Sequence, residues 1–524
     1  MIMNKRLILF AALLALIAAC GGNEPQTPPE PDAPVLLSTD PGSGLTGVEG
    51  SSLTVKFSFD QKVKCPAETQ DRITVGDAYV SGINTPGNDL VVVVDGLVEG
   101  TSYTLTLPEG TVKGFKEHQK LPPAISFSFS TKEPEPVAPL VPGVDCDSEG
   151  WEYASNAVKM MGPGWNLGNT LEANSGDLNN MWIEAWTDRT VRDYETAWGQ
   201  PQATRELIHM FKQAGFNSIR VPVTWYPHMG KFDVHVKMVD GKAIPVGDFS
   251  TWTGYDVDPV WMARVKEVVN YVIDEGMYCI LNVHHDTGDA STAWLRADPA
   301  MYEKHRERFV SLWNQIATEF AGYDNHLLFE SFNEMLDAKG TWNYSTADAH
   351  ETINKWNADF VATVRATGGN NAHRNLVCNT YAASSDTRAF TPFRLPEDAA
   401  DHHLMVEVHS YAPYMFAMYE GAGAKTVFDA ACEKEVTSII EGLNTHFVSK
   451  GIPCIIGEYG CTSGRGSVEM SKQAACYVSN ATRYNIPCFY WMVLSDTEDR
   501  SVPKWTMPGL KDTIIKAYRD NKKK

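Results

Sequence analysis

The chain has 524 residues, 43% of them hydrophobic and 21% charged, which allows a sizeable core and more than one domain. Asp and Glu exceed Lys and Arg by 65 to 45, a formal net charge of −20 that a phosphate backbone would repel. Nucleic acid is therefore excluded as an expected partner, while neutral polymers and most small metabolites stay open. The ten cysteines include no closely spaced pair of the zinc or redox kind. Several (Cys279, Cys378, Cys454, Cys488) lie in apolar runs, so few or no disulfides are expected.

Residues 1–20 open with Lys5 and Arg6 and continue as an apolar run from Leu7 to Ala19. The run is too short to span a bilayer and has the layout of a secretory signal. Its end, Ile17-Ala18-Ala19-Cys20, resembles the lipobox of bacterial lipoproteins. That resemblance implies cleavage before Cys20, acylation of this cysteine, and display on the envelope, facing outward from the outer membrane. Membrane contact would then run only through the anchor at Cys20; an ordinary signal with an incidental cysteine is the alternative. Residues 21–33, rich in Pro, Glu, Gly and Asn, read as a tether.

From 34 to 131 the periodicity is two. Leu53, Val55, Phe57 and Phe59 alternate with polar residues, as do Tyr103, Leu105 and Leu107, and Ile125, Phe127 and Phe129. Short alternating strands between Gly, Pro and Asn predict a small antiparallel sandwich. The pattern resembles the bacterial Ig-like modules that precede catalytic domains in secreted enzymes. No cluster of Trp or Tyr marks a sugar-binding face, so a spacer is expected rather than a carbohydrate-binding module. Residues 132–142 (Lys-Glu-Pro-Glu-Pro-Val-Ala-Pro-Leu-Val-Pro) form a proline-stiffened linker.

Residues 143–524 alternate apolar strand-like runs with helical patterns. The strands centre on Trp165, Ile219, Ile280, Phe329, Leu376, Met405, Ile455 and Phe489. Helical periodicity covers Ala203 to Ala214, Trp261 to Glu275, Met301 to Phe320, Ala349 to Ala366, Phe428 to Ser449 and Val468 to Tyr484. Eight such units predict an α/β fold, a closed (β/α)8 barrel. An open doubly wound sheet competes, but no Gly-rich fingerprint follows the first strand.

Two runs stand out: Leu327 to Glu334, reading Leu-Leu-Phe-Glu-Ser-Phe-Asn-Glu, and Cys454 to Glu458, reading Cys-Ile-Ile-Gly-Glu. Each delivers a glutamate from a buried strand to the rim where barrel catalysis takes place. The other strand ends are read as Asn169, Arg220, His284 with His285, Asn333, Asn379, His409 with Tyr411, and Trp491. One polar strand end means little, because strands must exit into solvent. The concentration of His, Glu, Asn, Arg and Trp is the signal.

Gly164-Trp165-Asn166-Leu167-Gly168-Asn169, Ile219-Arg220-Val221-Pro222, Asn282-Val283-His284-His285, Phe332-Asn333-Glu334, His409-Ser410-Tyr411, Gly457-Glu458-Tyr459 and Tyr490-Trp491 together resemble glycoside hydrolase family 5. Glu195-Thr196-Ala197-Trp198-Gly199 is similar to the subfamily-4 endoglucanases and xyloglucanases. The resemblance implies a (β/α)8 barrel, retention of anomeric configuration, and cleavage inside β-1,4-linked glucans. Met335 departs from the proline that many relatives carry after the glutamate, and it leaves the acid itself untouched.

Glycoside cleavage needs a proton for the leaving oxygen and a nucleophile for the anomeric carbon. Glu334 is expected to be the acid/base and Glu458 the nucleophile, with carboxyls about 5–5.5 Å apart for retention. Arg220 should hold Glu458 ionised, while burial and the Glu458 anion should keep Glu334 protonated. Asn333 can donate to the substrate 2-hydroxyl, Tyr411 to the nucleophile, and His409 can orient the acid/base or the sugar. His284 and His285 would bond sugar hydroxyls and Trp491 would face a pyranose ring; Trp198, Trp225, Trp294, Asn169 and Asn379 are further candidate contacts. No cofactor or metal is expected, and a monomer is.

Three alternatives remain on sequence. A metal-dependent barrel hydrolase would use His284, His285, Asp286, His402, His403 and His409, but the first strand offers no ligand pair. A non-catalytic glycan-binding lipoprotein would be expected to lose one of the two glutamates. A β-mannanase would use the same backbone machinery as a glucanase. Substrate choice falls to loops such as 228–253 and 341–347.

Overall fold

The computed structural model describes residues 30–50, 52–76, 78–133, 139–491 and 498–522. The leader with Cys20, most of the tether and part of the linker lie outside the described residues. The chain forms two compact units, one ending at Pro134 and one starting at Glu135.

The first unit is a β-sandwich. One sheet orders Leu36–Asp40, Ser52–Phe59, Asp89–Asp95 and Tyr79–Asn84, and the other Leu45–Val48, Ile125–Thr131 and Ser102–Leu107. The alternating residues read from sequence form its core: Val55, Phe57, Phe59, Leu105, Phe127 and Phe129 are all buried. Pairing is antiparallel except between Leu45–Val48 and Ile125–Thr131, which run parallel, so the expected all-antiparallel sandwich needs that correction.

The second unit is a closed barrel of eight parallel strands in chain order. We number them β1 (Gly164–Asn166), β2 (Ser218–Val221), β3 (Tyr278–Asn282), β4 (Leu327–Glu330), β5 (Leu376–Ser384), β6 (Leu404–His409), β7 (Cys454–Tyr459) and β8 (Cys488–Trp491). All eight expected strand centres fall within them. Most of the intervening helices begin on Thr or Asp side chains that accept the first free backbone N–H groups, as Asp258 and Asp298 do ahead of Pro259 and Pro299; Ser467–Thr482 starts after Gly466 without one. The expected helices match Arg205–Ala214, Pro259–Asp274, Pro299–Glu319, Ala347–Ala366, Ala430–His446 and Ser467–Thr482. A helix at Pro508–Asn521 was not foreseen.

One stretch differs in kind. Residues 228–253, read as a loop, hold most of a long β-hairpin, Met229–Val239 against Lys242–Val257. Its inner face packs Phe232, Phe249 and Trp252 against one another, with ring centroids 4.9 Å and 4.8 Å apart for the two Phe249 contacts. Its tip exposes Val236, Met238 and Val239.

Side chains alternate along each barrel strand. Trp165, Ile219, Leu281, Phe329, Val406 and Ile456 join the large core between strands and helices. Ile280, Leu328, Val377, Met405, Ile455 and Phe489 form a separate apolar cluster inside the barrel. Two residues further along β3, β4, β5 and β6, on the same inward side, stand Asn282, Glu330, Asn379 and Glu407. The register pairs Asn282 with Glu330 and Asn379 with Glu407, so these groups share one level. An apolar plug therefore supports a layer of buried charge and amide.

Candidate active site

Arg220 is the hub of that layer and is fully buried. Its Nε and Nη2 donate to Glu330 at 2.6 Å and 2.8 Å, its Nη1 to Asn166 Oδ1 at 3.0 Å and Glu458 Oε1 at 2.7 Å, and its Nη2 also to Asn333 Oδ1 at 2.9 Å. Glu407 Oε1 lies 3.3 Å from Nε. A planar fork with fixed donors suits this task in a way a lysine would not. Arg220, a strand end from sequence and a candidate substrate contact, is fully buried inside the barrel, where it holds Glu458 and Asn333 in place and is not itself exposed to a ligand.

Glu330 and Glu407 were missed. Burial pushes Glu330 up, but the charge and hydrogen bonds of Arg220 outweigh it and hold the carboxyl below its ordinary value. Burial and the Glu330 anion push Glu407 up to about 7. The pair thus divides its charge unequally, as neighbouring carboxyls must. The signal for both was a charged residue in an otherwise apolar strand, Leu-Leu-Phe-Glu and Met-Val-Glu-Val. Gly457 makes room for Glu407: a Cβ there would stand 1.5 Å from Glu407 Oε1.

The two expected catalytic glutamates meet. Carboxylate oxygens of Glu334 and Glu458 and a ring nitrogen of His409 all lie within 4.8 Å of one another. Tyr411 OH donates to Glu458 Oε2 at 2.7 Å, so Arg220 and Tyr411 each take one oxygen of that carboxylate. His409 Nδ1 is 2.8 Å from Glu334 Oε1 and 3.5 Å from Glu458 Oε2, and its Nε2 is 3.2 Å from Glu407 Oε1. Burial disfavours charge on His409, but the Glu458 anion and hydrogen bonds to Glu334 and Glu407 prevail and raise it to about 10. The Glu334 side chain is 21% exposed and faces the His409 ring.

His284 is almost buried, with Nε2 4.0 Å from Glu458 Oε1. Asn282 Oδ1 accepts from the Val223 N–H at 3.1 Å, which fixes that amide, and its Nδ2 donates to His284 Nδ1 at 3.0 Å. Nδ1 therefore accepts and Nε2 carries the proton. Burial first, and with it the nearby Arg220 charge, holds His284 neutral. Trp491 stacks parallel to the His284 ring at 5.7 Å and is half-buried. His285 stands 5.3 Å from the Trp198 ring. Asn333 offers its Nδ2, since Arg220 occupies Oδ1.

Some candidates fall elsewhere. Trp225 and Trp294 are buried, their indole N–H groups donating to Asn282 O at 3.0 Å and Asp286 Oδ1 at 2.6 Å, so neither is a sugar platform. Asn379 is buried and donates to the Phe332 carbonyl at the exit of β4, as a cap rather than a sugar contact. Asn169 lies beyond β1, which ends at Asn166, and is half-exposed with φ 56° and its backbone N–H on the Glu172 carboxylate. Asp286 braces the 225–226 turn by accepting both backbone N–H groups, at 2.8 Å and 2.9 Å; this employs it structurally.

Residues 180–496 match the family model for cellulase, glycosyl hydrolase family 5, and residues 30–131 that for a bacterial Ig-like domain. Endoglucanase B of Neocallimastix patriciarum is 36% identical over 340 residues, covering 64% of this chain and 63% of that relative. A family 5 glycoside hydrolase of Prevotella bryantii B14, solved with a xyloglucan tetradecasaccharide, is 40% identical, with a TM-score of 0.61 over 70% of this chain and 99% of that one. A GH5-4 broad specificity endoglucanase of Ruminococcus champanellensis with bound cellotriose is 35% identical, with a TM-score of 0.60 over 69% and 98%. The barrel, the buried arginine under two convergent glutamates and these likenesses agree: the chain belongs to glycoside hydrolase family 5 and carries an Ig-like domain ahead of the catalytic barrel.

Proposed function

We propose that the protein is a retaining endo-β-1,4-glucanase acting on glucan backbones, xyloglucan among them. The observation that carries this reading is the approach of Glu334 and Glu458 oxygens to within 4.8 Å. An inverting pair stands roughly 6.5–9.5 Å apart to admit a water between acid and base, whereas a retaining pair closes to about 5–5.5 Å.

In the first half-reaction the Glu334 carboxylic acid protonates the glycosidic oxygen while a Glu458 carboxylate oxygen attacks the anomeric carbon. The leaving chain departs with the proton and a glycosyl ester remains on Glu458. In the second, the Glu334 carboxylate takes a proton from water, whose oxygen displaces Glu458 and restores both groups. Arg220 and Tyr411 fix the plane of the attacking carboxylate, which keeps it aligned before substrate arrives. Asn333 Nδ2 donates to the sugar 2-hydroxyl, the neutral His284 and His285 to adjoining hydroxyls, and Trp491 supports the ring from one face. Asn169 is a further sugar contact at the rim. His409 spans the acid/base and Glu407, and so steadies Glu334.

The reading predicts that proton NMR of fresh digests shows the β-anomer before mutarotation, and that Glu334→Gln lowers kcat by roughly 10²–10⁴ on natural glucans. A first product in the α-form contradicts it. New reducing ends from xyloglucan, mixed-linkage glucan and mannan, measured side by side, rank the substrates. Cys20 is proposed as the site of acylation that tethers the enzyme to the envelope; a Cys20→Ser chain should take up no labelled fatty acid where the unmodified chain does. The enzyme is proposed to act as a monomer, without cofactor.

A further inference from the structure

At the opposite end of the barrel, where strands begin rather than end, Asp147, His373 and His403 converge. His373 and His403 lie just ahead of β5 and β6, and Asp147 belongs to the segment that leads into the barrel. Ligand-type atoms of the three lie within 4.8 Å of one another. Asp147 Oδ2 is 2.7 Å from His373 Nδ1 and 3.7 Å from His403 Nε2.

The hydrogen bonds around these side chains determine which atoms offer lone pairs. Asn375 donates Nδ2 to the Glu152 carbonyl at 2.9 Å, so its Oδ1 must be the atom 3.1 Å from His403 Nδ1. His403 Nδ1 is therefore the protonated nitrogen, and Nε2 is a bare acceptor facing a carboxylate oxygen. That Nε2 is buried with no hydrogen-bond partner, in a side chain only 1% exposed. Two acceptors facing each other at 3.7 Å repel unless a positive charge stands between them. His373 differs: its Nδ1 donates to Asp147 Oδ2 at 2.7 Å, and on taking a metal that proton would leave or pass to Nε2, which stands 3.5 Å from the exposed Glu149 Oε2. Asp147 spends Oδ1 on the backbone N–H groups of Glu149 and Trp151, at 2.9 Å and 2.8 Å, and aims Oδ2 at the two rings. The Asn375 acceptor on the far nitrogen of His403, with its near nitrogen facing Asp147, is the support that metal-bound histidines receive.

We propose that His373 Nδ1, His403 Nε2 and Asp147 Oδ2 form a structural site for a zinc-like divalent transition metal, with water as fourth ligand, clamping the entry segment to the barrel floor. Two imidazoles and one carboxylate select zinc over calcium or magnesium, which take all-oxygen sets. Tetrahedral bonds of about 2.0–2.1 Å put ligand atoms roughly 3.3 Å apart; the His403–Asp147 spacing is near that, and His373 must open by about half an ångström. Asp147 is 17% exposed and His373 25%, so the ion has a path from solvent. This site lies away from the cleft, so it does not rest on the glucanase reading, and it differs from the catalytic metal considered for His402 and His403 from sequence.

The test uses the full chain, stripped with a chelator and titrated with Zn²⁺ alone, and then with Co²⁺ for its visible spectrum. The expected result is one tightly held ion per chain, a tetrahedral Co²⁺ absorption and a raised Tm. His373→Gln, at a partly exposed position that should tolerate it, abolishes all three and leaves glucan turnover at low temperature unchanged. Glu334→Gln keeps them, which separates this site from the Glu334, His409 and Glu458 group. Failure of the folded, stripped chain to bind Zn²⁺ at micromolar concentration overturns the proposal, as does binding that survives His373→Gln or is lost in Glu334→Gln.

Discussion

The two inward-facing layers of the barrel use the same strands to opposite ends. Ile280, Leu328, Val377, Met405, Ile455 and Phe489 pack as an apolar plug, whereas two residues further along, Asn282, Glu330, Asn379 and Glu407 surround Arg220 with polar groups that water does not reach. One layer is stabilised by removing hydrocarbon from water. The other gains little net stability, because buried charge is costly even when paired, and what it supplies is placement. A change of one strand repeat therefore separates a layer that supplies net stability from one that supplies placement, although breaking a pair in the second leaves a buried charge uncompensated.

The largest expected effect comes from removing the hub. Arg220→Met leaves Glu330 and Glu458 buried beside an uncharged side chain, and should cost about 3–5 kcal/mol; urea unfolding measures it, and a loss under 1 kcal/mol would break the contrast. Next, Ile280→Val in the apolar layer should cost about 0.5–1.5 kcal/mol while kcat/KM stays within twofold; a tenfold fall in turnover would show that the layers are not separable. The smallest effect is a pH slope. The Glu407 carboxyl sits at about 7 in the fold, above its ordinary 4.5, so its contribution to stability is full below pH 4.5 and fades as pH rises through 7. Glu407→Gln does not titrate, so over that window its Tm should decline less than that of the unmodified chain. Parallel curves would remove Glu407 from the account.

These layers also explain what could be read from sequence. All eight strand centres were legible because buried parallel strands are rich in apolar residues and close on a polar exit. Glu334, Glu458, His409 and Tyr411 were legible because they stand at or just past the C-terminal ends of those strands. Glu330 and Glu407 escaped attention because they stand within strands, where the search was for hydrocarbon. Trp225, Trp294 and Asn379 have the residue types of sugar contacts, and only the fold reveals that their polar atoms are spent inside the protein, Trp225 and Asn379 on backbone carbonyls and Trp294 on the Asp286 carboxylate. The 229–257 hairpin went unseen although Phe232, Val234, Val236 and Met238 alternate with polar residues, because that alternation falls between two barrel strands where a connecting loop is expected. Asp147, His373 and His403 are far apart in sequence and meet only through barrel closure.

The most direct test is to trap the intermediate. An activated 2-deoxy-2-fluoro-β-cellobioside should glycosylate the enzyme, expelling its leaving group, and stop it, since the fluorine slows both half-reactions and the second most; mass spectrometry of the digest should find the sugar on Glu458. A label on Glu334, or an enzyme that turns over substrate yet never accumulates a labelled form, would contradict the assignment of the two carboxyls.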